Sequence, residues 1–192
     1  MKKQRSVMLV FLLCLLFLVP QVGLAEGGPR YQRSVEHYTI PDMVLVNQDG
    51  ERVRLKSLLE TDQPVVVDFI YGTCTTICPV LSAGMAALQR KLIKQGVQPR
   101  LVSISIDPEN DTPQVMKAYL KRYGAKPGWY FLTGNRPDID NVMQAFDAYI
   151  SDKMTHKPLD FIRQPKDGSW VRLYGMLGSK DFLAEYEKAG EK

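Results

Sequence analysis

Val65-Val66-Val67-Asp68-Phe69-Ile70-Tyr71-Gly72-Thr73-Cys74-Thr75-Thr76-Ile77-Cys78-Pro79 is the stretch that decides the fold. Five of its first six residues are apolar, without alternation, as a parallel strand covered on both faces requires. Asp68 interrupts them; a carboxyl buried there is costly alone and needs a partner or a proton-handling role. Pro79 disfavours helical backbone at Cys78 and donates no amide hydrogen bond, so a helix begins at about Pro79. Cys78 then stands at the helix N-terminus, where the dipole favours a thiolate, and Cys74 lies in the preceding loop. Three intervening residues let the two sulfurs meet as a disulfide or across one metal ion. Two thiols so placed can exchange disulfides, reduce peroxide or hold a soft metal.

Working outward, Met43 to Val46 and Val53 to Leu55 read as a hairpin around an Asp49-Gly50 turn, and Leu58-Leu59 close a short helix. The helix from Pro79 runs to about Gln95, with Leu81, Met85, Leu88 and Leu92 on one face and Gly96 as its stop. Leu101 to Ile106 is a second buried strand. Thr112 suits the N-cap and Pro113 the first position of the next helix, which ends at Gly124. Trp129 to Leu132 is a third strand and Ile139 to Phe146 a third helix. Leu159 to Ile162 and Val171 to Tyr174 form a hairpin around Lys166-Asp167-Gly168, and Phe182 to Ala189 is a terminal helix. The order is hairpin, β, α, β, α, β, α, hairpin, α. This α/β pattern, with a cysteine pair at its first strand-to-helix turn, predicts a thioredoxin-like fold: a central mixed sheet flanked by helices, with an N-terminal β-hairpin. Tyr71 and Trp129 read as core.

The N-terminus reads as export. Lys2, Lys3 and Arg5 precede an apolar run from Val7 to Val19, and Gly23-Leu24-Ala25 supplies a small-residue cleavage site. Residues 1–25 are therefore expected to be a signal peptide or, uncleaved, a membrane anchor; 26–38 a polar tether; and 39–192 a single domain. Cys14, in the middle of the apolar run, lacks the small-residue context of a lipid-attachment site. Removing the segment leaves Cys74 and Cys78 as the only thiols. Without Lys2, Lys3 and Arg5 the net charge falls from +4 to +1, so no basic character remains to suggest nucleic acid. A domain of this size buries its own core and needs no disulfide staple. Export puts both thiols in an oxidising compartment, periplasmic or at the outer face of a membrane.

Disulfide exchange of the thioredoxin type uses two intervening residues, not three. Soft thiolates suit Cu(I), and one imidazole added to them makes a site that also holds Cu(II). Only two histidines are present. His37 falls in the expected tether and reads as a bystander. His156 precedes the Leu159 strand, in a loop that a thioredoxin-like fold brings towards the cysteine turn. It is either a solvated loop histidine or a ligand. Met154 reads as a gap-filler or a soft axial ligand. Pro158, just before a strand, is a candidate for the cis-proline of such folds.

Asp68 to Cys74, Cys78-Pro79, and Ser105-Ile106-Asp107-Pro108-Glu109-Asn110-Asp111-Thr112-Pro113 together resemble the Sco/SenC family. The last string matches that family's D-P-x-x-D-T-P signature without a gap, and His156 keeps the family's five-residue spacing to an aromatic, Phe161. The resemblance runs from about Tyr38 to the C-terminus. It implies a thioredoxin-like fold and one copper bound by Cys74, Cys78 and His156. It further implies a role in assembling the dinuclear copper centre of cytochrome c oxidase subunit II. The protein would deliver copper to that subunit's copper-accepting domain or reduce its cysteines. Other copper chaperones or thiol reductases are further implied partners, with membrane contact only through an uncleaved N-terminus. The chain departs from the family at Thr155, where an Asp usually precedes the histidine; that acid would orient the imidazole.

Three rivals stand beside this reading. A thiol–disulfide oxidoreductase would use Cys74 and Cys78 as its catalytic pair without metal. A peroxidase is suggested by Thr75-x-x-Cys78-Pro79, although Tyr71 replaces the proline expected four residues before the threonine. A sensor of copper or redox state would show no further mark. Asp107 to Pro113 reads as a strand exit and capped helix start that positions the loop near the site.

Overall fold

The computed structural model describes residues 31–191. The residues read as a signal segment, 1–25, and the start of the segment read as a tether lie outside the described residues. Among the described residues no helix is long and apolar enough to cross a membrane.

Among the described residues eight strands form one mixed sheet: β1 (Tyr31–Glu36), β2 (Val44–Asn47), β3 (Arg52–Arg54), β4 (Val65–Ile70), β5 (Arg100–Ser105), β6 (Trp129–Thr133), β7 (Leu159–Arg163) and β8 (Trp170–Gly175), in the order β1-β8-β7-β4-β5-β6-β2-β3. The helices are α1 (Leu55–Leu59), α2 (Cys78–Lys94), α3 (Pro113–Arg122), α4 (Arg136–Ala145) and α5 (Ser179–Ala189). β4, β5 and β6 are parallel, and β7 lies antiparallel to β4. All six residues of β4 are buried, which is why, Asp68 apart, its sequence is apolar without alternation.

Ser82 of α2 is hydrogen-bonded to Tyr119 of α3 at 2.8 Å, and Lys91 of α2 reaches the Ser179 carbonyl at the start of α5, so these three helices cover one face. An aromatic cluster of Tyr38, Phe69, Phe146, Phe161 and Trp170 fills the other, with ring centroids 5.0 to 6.5 Å apart. The Asp49-Gly50 turn forms as expected, with Gly50 at φ +81°, a conformation that costs a residue without Cβ little. Thr112 caps α3 through the Val115 amide. α4 starts before Ile139 because Asn135 caps it, accepting from the Asp138 amide.

Two expectations are corrected. The segment read as a tether contains β1, which pairs with β8 along its whole length. Most of its side chains are exposed and its apolar residues do not alternate, so periodicity cannot reveal it. Main-chain pairing holds it, together with Arg33 and Tyr31, which both reach the buried Glu185 carboxylate at 2.9 Å. Pro158 is trans, since the described chain contains no cis peptide bond; trans is the lower-energy isomer and still lets Leu159 enter β7 directly.

Candidate metal centre

The C-terminal end of β4 delivers the cysteine turn. Cys74 lies in the loop with its amide bonded to the Tyr71 carbonyl, and Cys78 is the first residue of α2, followed by Pro79. Both are buried free thiols. β7 runs antiparallel to β4, so the loop before it arrives at the same end of the sheet. That loop carries His156, at the end of a short 3-10 turn (Lys153–Thr155), and its Nδ1 lies 3.7 Å from Cys78 Sγ. His37 follows β1 at the opposite end, where Glu36 pairs with Trp170, and takes no part.

The D-P-x-x-D-T-P segment clamps the two loops. One Asp111 oxygen accepts from the Gly72 amide at 2.9 Å, and the other from Ser105. A Cβ on Gly72 would lie 2.7 Å from that Asp111 oxygen, so this close approach requires glycine. Asp107 accepts from Asn110 and holds Lys153, whose ammonium also sits 5.4 Å over the Tyr71 ring. Asp111 thus fixes the cysteine loop and Asp107 the histidine turn. The sequence pointed to positioning by this motif; the ion pair to Lys153 had no sequence signal.

Burial holds the His156 imidazole well below its ordinary range, at about 4, although the Phe69 main chain pulls the other way. The ring is therefore neutral at physiological pH, the form that ligates metals. Its Nε2 is buried without a hydrogen-bond partner. The two thiols differ, and burial acts at Cys78 against the direction expected from the helix dipole. Burial pushes Cys78 up, reinforced by its neighbour Cys74. Burial also raises Cys74, but hydrogen bonds with Cys78 and Thr76 outweigh it and bring that thiol down to about 7. At Cys78, loss of water opposes the helix terminus.

Cys74 interacts with Cys78, and Cys78 with His156, but the three donors do not yet surround one point. Among the described residues no three of His, Cys, Asp or Glu are gathered tightly enough to clasp an ion. A cleft of about 250 Å³, lined by Phe69, Tyr149, Ile150, Leu159 and Tyr174 among others, opens beside His156. On the sheet below, Asp68 is level with Asp160 of β7, and both are fully buried. The residue level with Asp68 is thus another acid, signalled only by an Asp inside the apolar Leu159 to Ile162 run, and neither Asp68 oxygen has a hydrogen-bond partner of good geometry. The Ser103 hydroxyl, which accepts from Trp129 Nε1 at 3.0 Å, also lies beside Asp68.

A parallel βαβ core with a cysteine pair at its first turn, completed by an antiparallel hairpin, defines a thioredoxin-like protein. The SCO1/SenC family model matches residues 32–185, and the chain belongs to that family. The match begins inside β1, within the segment read as a tether. The chain is 33% identical over 158 residues to the SCO1 protein homolog of Bacillus subtilis, covering 78% of this chain and 80% of that protein. It superposes with TM-score 0.68 and 30% identity on BsSco, covering 80% of this chain and 94% of that one. BsSco is a member of the Sco family of cytochrome c oxidase assembly proteins in which a disulfide switch has been identified. The copper-bound ScoI of Arabidopsis thaliana gives TM-score 0.65 at 27% identity, over 77% of this chain and 94% of that one.

Proposed function

We propose that this chain is an exported copper metallochaperone, holding one copper through Cys74, Cys78 and His156 and serving assembly of the dinuclear copper centre of cytochrome c oxidase subunit II. The observation that carries it is the contact between Cys78 Sγ and His156 Nδ1 at 3.7 Å, with a second thiol beside Cys78 and the imidazole held neutral. Disulfide exchange has no need of that imidazole. Two sulfurs and one imidazole suit soft Cu(I) and also accept Cu(II). Family membership and the copper-bound relative support the reading.

The chain's own residues supply three things. Cys74, already near half ionised at neutral pH, gives the first thiolate. Cys78 and His156 give donors shielded from water, and the Asp107–Asp111 segment keeps their loops opposed. Thr155, in place of the family's acid, bonds its own turn at the Asp152 carbonyl and leaves the imidazole alone. The site acts outside the cytoplasm, at a membrane's outer face or in the periplasm, and its partner is the copper-accepting domain of subunit II.

His156→Ala should abolish the Cu(II)–thiolate charge-transfer band while weakening Cu(I) less. An unchanged Cu(II) spectrum would remove His156 from the site. A second reading, reduction of target cysteines, is favoured by the unequal thiols: an attacking Cys74 near 7 and a buried resolving Cys78. Reductase activity kept by His156→Ala but lost in Cys74→Ser would favour it.

A further inference from the structure

The described residues include six methionines. Met85, Met116 and Met143 are core, and Met43 packs partly buried against it. Met154 and Met176 are the two left in water, 73% and 52% exposed. Gap-filling, the usual work of a methionine, explains neither. Both lie near the His156 loop in sequence or through one main-chain bond. Met154 is two residues before it on the 3-10 turn, and Met176 follows Gly175, whose amide bonds the Pro158 carbonyl at 3.1 Å.

Of the two, Met154 has its sulfur aimed. Its amide donates to Asp152 Oδ1 at 2.9 Å, and the Thr155 hydroxyl donates to the Asp152 carbonyl at 2.7 Å, so the turn beneath it is held. The Tyr71 hydroxyl donates to Met154 Sδ at 3.8 Å, and the Tyr71 ring packs edge-on to His156 with centroids 6.4 Å apart. A single buried aromatic residue thus links the sulfur of an exposed methionine to the imidazole that touches Cys78. Cys78 has no exposed surface and Cys74 is only 7% exposed, so an ion arriving from solvent meets the far more exposed Met154 more readily than either thiol.

We propose that Met154 Sδ is the way-station ligand for Cu(I), taking the ion at the mouth of the centre and passing it inward to the cysteines. The proposal rests on the copper reading of Cys74, Cys78 and His156. A thioether is soft, neutral and weak, so it captures Cu(I) and releases it to thiolate. In the transfer a Cu–Sδ bond forms as the donor's ligand leaves; Cu–thiolate bonds then form as Cu–Sδ breaks. Copper stays Cu(I) throughout, and the thiol protons leave to solvent.

The test has two arms. In stopped flow, reduced protein takes Cu(I) from a bicinchoninate complex; Met154→Leu, a nearly isosteric change at an exposed position, should slow uptake about fivefold or more and leave final affinity within about twofold. In the second arm, Ag(I), a redox-inert stand-in for Cu(I), is titrated into the Cys74→Ser/Cys78→Ser chain carrying 13C-methyl methionine. The Met154 methyl resonance should move while those of Met85, Met116 and Met143 stay. Equal uptake rates, an unmoved Met154 resonance, or movement of Met176 alone would overturn the proposal. Failure of the copper reading itself shows separately, as reduced wild-type chain that cannot hold Cu(I) against the chelator.

Discussion

Asp68 ionises near pH 4 in an unfolded chain, but in the fold burial keeps its carboxyl protonated up to about 7. An acid whose folded pKa is raised contributes stability that is fully present below about 4 and lost as pH rises through 7. Asp160, facing it across the strands and also raised by burial, adds the same sign. His156, held neutral down to about 4, works oppositely: its contribution is present above 6.5 and lost as pH falls. The two trends oppose each other over the same window. Asp68→Asn should therefore match wild type near pH 4 and exceed it by a few kcal/mol at pH 7 in urea unfolding. A difference independent of pH would contradict the assignment. The thiols give a second residue-scale test: iodoacetamide should alkylate Cys74 with a midpoint near pH 7, leaving Cys78 unreacted through that range. Simultaneous alkylation of both near pH 9 would contradict it.

The segment from Asp107 to Pro113 works as an element, its two carboxylates reaching opposite loops. Asp107→Asn should release Lys153 and slacken the turn that presents His156, costing Cu(II) affinity about tenfold or more while Cu(I) suffers less. Unchanged Cu(II) affinity in a competition titration would show that the turn holds without it. The elements built on local rules were legible in the sequence: the continuous β4, the Pro79 start of α2, and the Thr112 cap with Pro113. The set Cys74, Cys78 and His156 was implied only by the family resemblance, and of it the fold brings Cys78 and His156 within 3.7 Å. What stayed hidden depends on partners distant in sequence. β1 exists because β8 offers a free edge, and Asp160 matters because register sets it against Asp68. The dipole argument left out the burial of Cys78, because burial is a property of the assembled fold.

At the scale of the whole molecule, antiparallel pairing of β7 on β4 is what turns a loop more than seventy residues downstream towards the cysteine turn. β1 then closes the edge beyond β8, tied by Glu185 on α5. Glu185→Ala should cost about 1–3 kcal/mol by stranding Arg33 and Tyr31, and should speed amide exchange in residues 31–36 without altering copper stoichiometry. Protection of those amides equal to wild type would show that main-chain pairing alone suffices. The central claim is that the two thiols and His156 make one copper centre. It is tested most directly by loading the reduced chain with Cu(I) and counting bound copper and free thiols on the same sample. The account predicts one copper per chain with both Cys74 and Cys78 blocked; copper bound while both thiols still react, or no copper retained, would contradict it.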